Sequence, residues 1–314
     1  MAERMKVCVL FGGVSTEHLV SCRSAYNIIK SLREEGHEVF PVGITEEGEW
    51  LRFAADPECL LGKAEWTEKA RKALQEGLPQ PVKASDLRSP QAFLSYHCGG
   101  IRPDVVFPAV HGINCEDGVL QGFLEMCDIP YVGAGVLASA AGMDKVFAKM
   151  VFAAAGIPQV PYAVSYRGQV REDAAGEAGR LIDKLGLPLF LKPANGGSSV
   201  GTAKAENKDE LIRALRKVSD YDEKILVETF VKARELEVAV LGNKTPRAAS
   251  PGEIVKEEDV AYYDYETKYF KSGADAVVPA DKHSSRQRSA PIRRSAAGAW
   301  PGLTFSARKT GASI

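Results

Sequence analysis

FLKPANGGSSVG, Phe190 to Gly201, decides how this chain is read. An apolar run ends in Lys192 and Pro193, a small-residue loop follows, and β-prone sequence resumes at Val200. A loop so poor in side chains lets backbone N–H groups approach an anion closely. Ser198 and Ser199 add hydroxyl donors and Lys192 sets a point charge at the loop's base, a chemistry suited to polyphosphate. No Gly-Lys-Ser/Thr closes the loop, so it is not a Walker A box. Taken alone, a Gly/Ser run between two strands is more often a plain hairpin loop. Its company in the chain raises it above that.

At 314 residues the chain has room for two or three domains, and 45% hydrophobic with 26% charged residues is an ordinary globular composition. With 40 basic against 41 acidic residues, the whole-chain field argues against nucleic acid as main partner. No apolar run approaches a membrane span, and MAERMK enters a strand without the layout of a signal peptide. The six cysteines (Cys8, Cys22, Cys59, Cys98, Cys115 and Cys127) form no CxxC pair or metal spacing, which predicts buried thiols in the reducing cytosol.

KVCVLF (Lys6–Phe11) is continuously apolar, as in a strand covered on both faces. Gly12 and Gly13 break it, Ser15 is positioned to cap, and Leu19, Cys22, Tyr26, Ile29 and Leu32 keep helical spacing to about Glu35. A second strand follows at 38–44. This β–Gly turn–α–β order is that of a doubly wound parallel sheet, whose ligands sit at the carboxyl ends of strands. FGGVST lacks the G-x-G-x-x-G spacing, which counts against a dinucleotide oxidoreductase. Glu17, one residue into the predicted helix, either complements the helix dipole or faces the crevice to pair with a substrate ammonium. Residues 64–75 predict a solvated helix. DVVFPAVHGINCEDGVLQGFLE (104–125) predicts a buried strand into His111, then a turn where a His, two carboxylates and two Gly could build a polar site. IPYVG (129–133) predicts a strand and SAAGMDKVFAK (139–149) one helix carrying Lys145.

Further on, strands at 159–165 and into Lys192, helices at 171–185 and 208–218, and the strand KILVETF ending at Glu228 are predicted. The extended Thr229, Phe230 and Val231 could offer backbone groups to an adenine edge, with a nearby carboxylate for the ribose. RELEVAVLG predicts a strand beginning near Glu235. YYDYETKYF (262–270), with Lys268 and Tyr269, is either a surface loop or a lid.

LFGGVSTEHLVS, HGINCEDGVLQG, IPYVGAGVLASAAGMDK, LKPANGGSSVG, the VETF and RELEV pair and YYDYETKYF occur in the order in which the D-alanine–D-alanine ligases of the ATP-grasp superfamily carry similar segments. The resemblance covers about residues 6–281. It implies an α/β protein: an N-terminal doubly wound parallel-sheet substrate domain (1–135), an incomplete ATP-grasp domain (136–281) and a non-matching basic tail (282–314). It implies ligation of two D-alanines at the expense of ATP, through an acyl phosphate, for peptidoglycan, in the cytoplasm and as a homodimer. By similarity Lys145, Lys192 and Lys268 neutralise the phosphates beneath a flap containing Gly197, Ser198 and Ser199. Glu228, Thr229, Phe230, Val231 and Glu235 hold adenine and ribose, Glu17 clamps the first substrate's ammonium, and His111, Ser198 and Tyr269 form the network around it. A Tyr at 269 resembles the dipeptide-forming members rather than those making a D-lactate ester. Cys115 stands where the family's turn has Gly, which predicts strain there.

After Asp281 the resemblance implies a Mg²⁺ site built from an Arg-Val-Asp-Phe strand and a Glu-x-Asn stretch. The tail instead holds seven Lys or Arg and no Asp or Glu. Back-translated and read one base earlier, AWPGLTFSARKTGASI gives GLARVDFFSQKDGSIY, which contains that strand. The expectation is a frame slip between 281 and 298, metal ligands missing, and either an impaired ligase or a silent ATP- and D-alanine-binding remnant.

Overall fold

Strand β1 (Lys6–Gly12) is the axis of the first unit in the computed structural model, which describes residues 4–54, 56–61, 65–75, 89–197, 199–243, 245–256, 274–277 and 279. Both faces of β1 are apolar, so both are covered. Val7, Val9 and Phe11 pack with Cys22, Ala25 and Ile29 of α1 (His18–Glu34). Cys8 and Leu10 pack oppositely, with Leu94 of α3 (Pro90–His97) and Leu120 and Leu124 of α4 (Val119–Met126). Strands β2 (Glu38–Ile44) and β4 (Val105–Pro108) run parallel on either side of β1. A short antiparallel β3 (Trp50–Arg52) edges β2, giving the order β3-β2-β1-β4. The doubly wound sheet expected from the sequence is therefore present, with one antiparallel edge strand.

The carboxyl ends of β1 and β4 are fastened by one buried hydroxyl. Ser21 Oγ accepts from Gly12 N at 2.7 Å and donates to Ala109 O at 2.6 Å, with no solvent exposure. Beside it, Gly12 at φ +85° has no room for a side chain, since a Cβ would lie 2.1 Å from Ile44 O. Ser21→Ala is expected to leave a buried donor and acceptor unpaired and to cost about 1–3 kcal/mol in urea unfolding.

Several local expectations are corrected. Glu17 is the residue before α1 rather than within it, and Ser15 Oγ accepts from Glu17 N at 3.1 Å instead of capping the helix. Helix α2 (Glu65–Gln75), after a 3₁₀ turn at Pro57–Leu61, is not simply solvated. Trp66 is 1% exposed, packs on Phe11 and donates from Nε1 to His18 Nε2 at 3.3 Å. An indole can only donate, so His18 Nδ1 carries the ring proton and donates to Gly13 O at 2.9 Å. IPYVG forms only an isolated bridge, Tyr131 to Val106.

The predicted helix 139–149 is two helices, α5 (Val136–Met143) and α6 (Lys145–Ala154), broken at Asp144. Asp144 Oδ1 accepts from the N–H groups of Val146 and Phe147, an N-cap that opens α6 afresh and places Lys145 at its first position. The contact pattern of the described residues divides the chain after Ala140, with Leu241–Arg247 counted in the first unit.

In the second unit β5 (Tyr162–Tyr166), β6 (Leu189–Pro193), β7 (Ala203–Ala205) and β8 (Lys224–Thr229) make an antiparallel sheet in the order β5-β8-β6-β7. Period-two alternation divides its faces. Ala163, Leu189, Leu191, Ile225 and Val227 pack against α7 (Arg167–Leu185) and α8 (Lys208–Ser219). The opposite face carries Tyr162, Val164 and Leu226 against Val146 of α6, and beyond them Phe190, Lys192 and Glu228. Helix α7 is interrupted at Asp173, whose Oδ1 caps the segment after the break. The predicted strand 234–242 is split into β9 (Glu235–Glu237) and β10 (Val240–Leu241). Strand β10 pairs with β11 (Arg247–Ala248), and β9 edges a sheet with β12 (Gly252–Lys256) and β13 (Ala274–Val277) in the order β13-β12-β9. Among the described residues no helix is long and apolar enough to cross a membrane.

Candidate active site

Two clusters of polar side chains occupy the places the sequence singled out, one in each unit. In the first, the turn after β4 is held from within. Gly112 N donates to Glu116 Oε2 at 2.7 Å, and Asn114 N donates to Asp117 Oδ2 at 2.7 Å. The left-handed positions are Gly112, Asn114 and Gly118. Cys115 is not among them, so the expected strain at that residue is absent; its buried Sγ lies against Gly13 instead.

Glu17 is 6% exposed, and its carboxylate lies close enough to Gly112 that a Cβ there would stand 3.3 Å from Oε2. His111 Nδ1 is 3.9 Å from Glu116 Oε1, and Nε2 is 3.4 Å from Ser24 Oγ. Burial works against the charged imidazole. The Glu116 hydrogen bond and charge, with the charge of Glu17, outweigh it and raise the His111 pKa above 6.5. The folded chain then holds this proton more tightly than the unfolded one. That contribution to stability is complete below pH 6.5 and is lost as pH rises through the raised midpoint. Glu116→Gln is expected to lower the His111 midpoint in an NMR titration of the ring protons. An unchanged midpoint would show that Glu116 does not set it.

The second cluster lies on the open face of the β5-β8-β6-β7 sheet and on α6. Glu228 is 7% exposed, and its two oxygens take different lysines: Lys149 Nζ at 2.7 Å from Oε1, Lys192 Nζ at 2.7 Å from Oε2. Burial alone would raise this carboxyl. The charge of Lys192 and hydrogen bonds from both lysines hold it below its ordinary value. Lys145 Nζ reaches the loop's base, donating to Gly196 O at 2.5 Å and Ala194 O at 3.4 Å. Burial, and then the charge of Lys192, push Lys145 down to about 8 against the opposing pull of Asp222, Asp144 and Glu228.

The Gly/Ser loop is a chain of turns. Val200 N donates to Gly197 O, Thr202 Oγ1 donates to Ser199 O, and Ser199 has φ 59°. Lys192 sits over the Phe190 ring at 5.5 Å, and Phe230 stands 6.3 Å from Phe190 with Lys204 over it at 4.4 Å.

The structure thus brings Lys145, Lys192, Glu228 and Gly197 into one neighbourhood, and Glu17 and His111 into another. The N–H groups of Thr229 and Phe230 donate to Pro161 O and Pro188 O. Val231 is half exposed on the segment beyond, and Glu235 enters β9 opposite Ile254. Ser198, Lys268 and Tyr269 lie outside the described residues, as do the whole of YYDYETKYF and the tail 282–314. Sequence reasoning missed Lys149, Lys204 and Phe190. The signal for Lys149 was its spacing, one helical turn after Lys145.

Comparison with known proteins gives the fold its class. A solved structure of the D-alanine-D-alanine ligase from Coxiella burnetii superposes with TM-score 0.65 at 37% identity, covering 80% of this chain and 71% of that one. The VanG D-Ala:D-Ser ligase from Enterococcus faecalis gives TM-score 0.70 at 30% identity, covering 90% and 78%. The class is that of the ATP-grasp ligases. Residues 6–134 match the family description "D-ala D-ala ligase N-terminus" and residues 151–307 match "D-ala D-ala ligase C-terminus". The second match runs past residue 281, where the sequence reading ended the resemblance. The D-alanine–D-alanine ligase of Acetivibrio thermocellus is 41% identical over 290 residues, 90% of this chain and 76% of that protein. That of Thermoanaerobacter sp. (strain X514) is 44% identical over 279 residues, 88% and 74%. The chain belongs to the D-alanine–D-alanine ligase family, a family of enzymes.

Proposed function

We propose that the chain is built to join two D-alanines at the expense of ATP, for peptidoglycan, in the cytoplasm. The observation that carries this reading is the convergence of Lys145, Lys192 and the Gly/Ser loop on one open sheet face. A carboxylate is a poor electrophile. Its oxygen attacks the γ-phosphorus, ADP leaves, and the resulting acyl phosphate accepts the amine of the second D-alanine with release of phosphate. Lys145 and Lys192 offset the polyphosphate charge, Glu228 holds Lys192, and the loop shields the phosphates from water. In the first unit, the buried Glu17 carboxylate takes a substrate ammonium. His111, whose proton Glu116 holds more tightly, supplies a donor to a substrate carboxylate.

A cytoplasmic place is supported by six unpaired cysteines, and the homodimer is carried by the family resemblance alone. Magnesium does not fit the described residues. No three His, Cys, Asp or Glu side chains converge among them. The absence of any Asp or Glu from 282–314 favours a second reading, a silent ATP- and D-alanine-binding remnant. Calorimetry of the purified chain with ATP and with D-alanine tests the binding common to both readings, and lack of heat with either ligand sinks both.

A further inference from the structure

A lysine on a helix surface is usually solvated along its polar end. Lys149 is not. Its side chain is 13% exposed, its Nζ lies 2.7 Å from Glu228 Oε1, and it stands 4.9 Å over the Tyr162 ring. Its carbonyl also accepts from Gln159 Nε2 at 2.8 Å. Tyr162, Glu228 and Phe190 form one cross-strand row, so Lys149 meets the sheet where Glu228 enters the open face.

We propose that Lys149 is a positioning residue of the nucleotide wall: it occupies one oxygen of Glu228, so that only the other oxygen is left to fix the ammonium of Lys192. The assignment rests on the reading of this face as a nucleotide site, and it goes beyond that reading.

The charge count gives the reason. One carboxylate beside Lys192 alone would pair with it through both oxygens, cancel its charge and draw the ammonium down onto the sheet. A second buried lysine prevents this. It leaves the group Lys149–Glu228–Lys192 with one net positive charge, and it sets that charge at Lys192, the more exposed of the two at 33% against 13%. Lys145, one turn earlier on the same helix, is held by the loop carbonyls and makes no such carboxylate contact among the described residues. The two lysines of α6 therefore do different things. Lys145 reaches the loop, whereas Lys149 reaches the carboxylate that aims Lys192.

ADP is the probe, measured by calorimetry on the full chain, with the fold of each variant checked by circular dichroism. Lys149→Met is expected to weaken ADP binding about tenfold, because Glu228 is left half paired and turns wholly onto Lys192. Lys149→Arg, which can still donate to Oε1, is expected to stay within about threefold of the natural chain. In the Glu228→Gln background, where there is no carboxylate to hold, Lys149→Met is expected to change affinity by less than about twofold. A residue that merely supports the fold would not show this dependence on Glu228. If Lys149→Met does not fold, Lys149→Gln, which keeps one donor and loses the charge, carries the same comparison.

A natural chain that fails to bind ADP overturns the nucleotide reading and this assignment together. A natural chain that binds, with Lys149→Met binding equally well or losing as much in the Glu228→Gln background, overturns the assignment and leaves the nucleotide reading standing.

Discussion

Lys192→Met is expected to weaken ADP binding by roughly 30- to 150-fold, about 2–3 kcal/mol. The effect has two parts. A positive charge beside the phosphates is lost, and Glu228, 7% exposed, keeps a carboxylate oxygen without its ammonium. Removing one partner of such a pair costs more than the pair is worth, because the desolvated charge remains.

The pH dependence should change with it. Lys145 titrates at about 8 because it is buried and, secondly, because Lys192 repels its proton. In the natural chain, raising the pH through 8 discharges Lys145, so affinity for a polyphosphate should fall. Its contribution to folding runs the other way. Between pH 8 and 10.5 the unfolded chain holds a proton that the folded chain has released, so stability against unfolding rises with pH across that window. With Lys192 gone, one cause of the depression is removed and burial remains, so the break in the affinity profile should move upward. Affinity within about threefold of the natural chain, with the break still near pH 8, would take Lys192 out of the nucleotide wall.

The sequence made the first sheet readable because β1 is apolar at every position between Val7 and Phe11, a pattern that only a strand covered on both faces sustains. The Gly/Ser loop was readable for a related reason, since few physical demands explain so many small residues together. What stayed hidden depends on distant partners. Asp144 looks like any polar residue in a helical run, and its role as a cap appears only once the chain has turned there. Its other oxygen pairs with Lys224, eighty positions on, a contact no local spacing encodes. Trp66 sits in a charged stretch that suggests a wet surface, yet it closes the core against Phe11 and steadies His18. Ser21 reads as a polar residue in the middle of a helix; its staple between β1 and β4 requires both strand ends to be in place. The partners of the Thr229 and Phe230 N–H groups, Pro161 O and Pro188 O, are likewise set by neighbouring segments that local sequence does not reveal.

Given ATP, magnesium and D-alanine, the purified 314-residue chain is expected to form dipeptide at least ~10²-fold more slowly than the Acetivibrio thermocellus ligase assayed beside it. Phosphoryl transfer spreads negative charge over the transferred group and its leaving oxygen, and lysines alone neutralise only part of it. A hard dication would supply the remainder, and it requires oxygen ligands in near-octahedral array. Residues 282–314 offer none from Asp or Glu, and the described residues assemble no cluster that could substitute. ADP should nevertheless bind, because Lys145 meets the loop and Lys192 meets Glu228 through contacts made among the described residues. Binding without turnover is thus the expected pattern. A chain whose last residues carry the shifted frame, with its Arg-Val-Asp-Phe strand and a following Glu-x-Asn stretch, should recover dipeptide formation. Turnover at the relative's rate by the 314-residue chain would point for oxygen ligands to the seven Asp and Glu residues between 257 and 281, and would overturn this prediction.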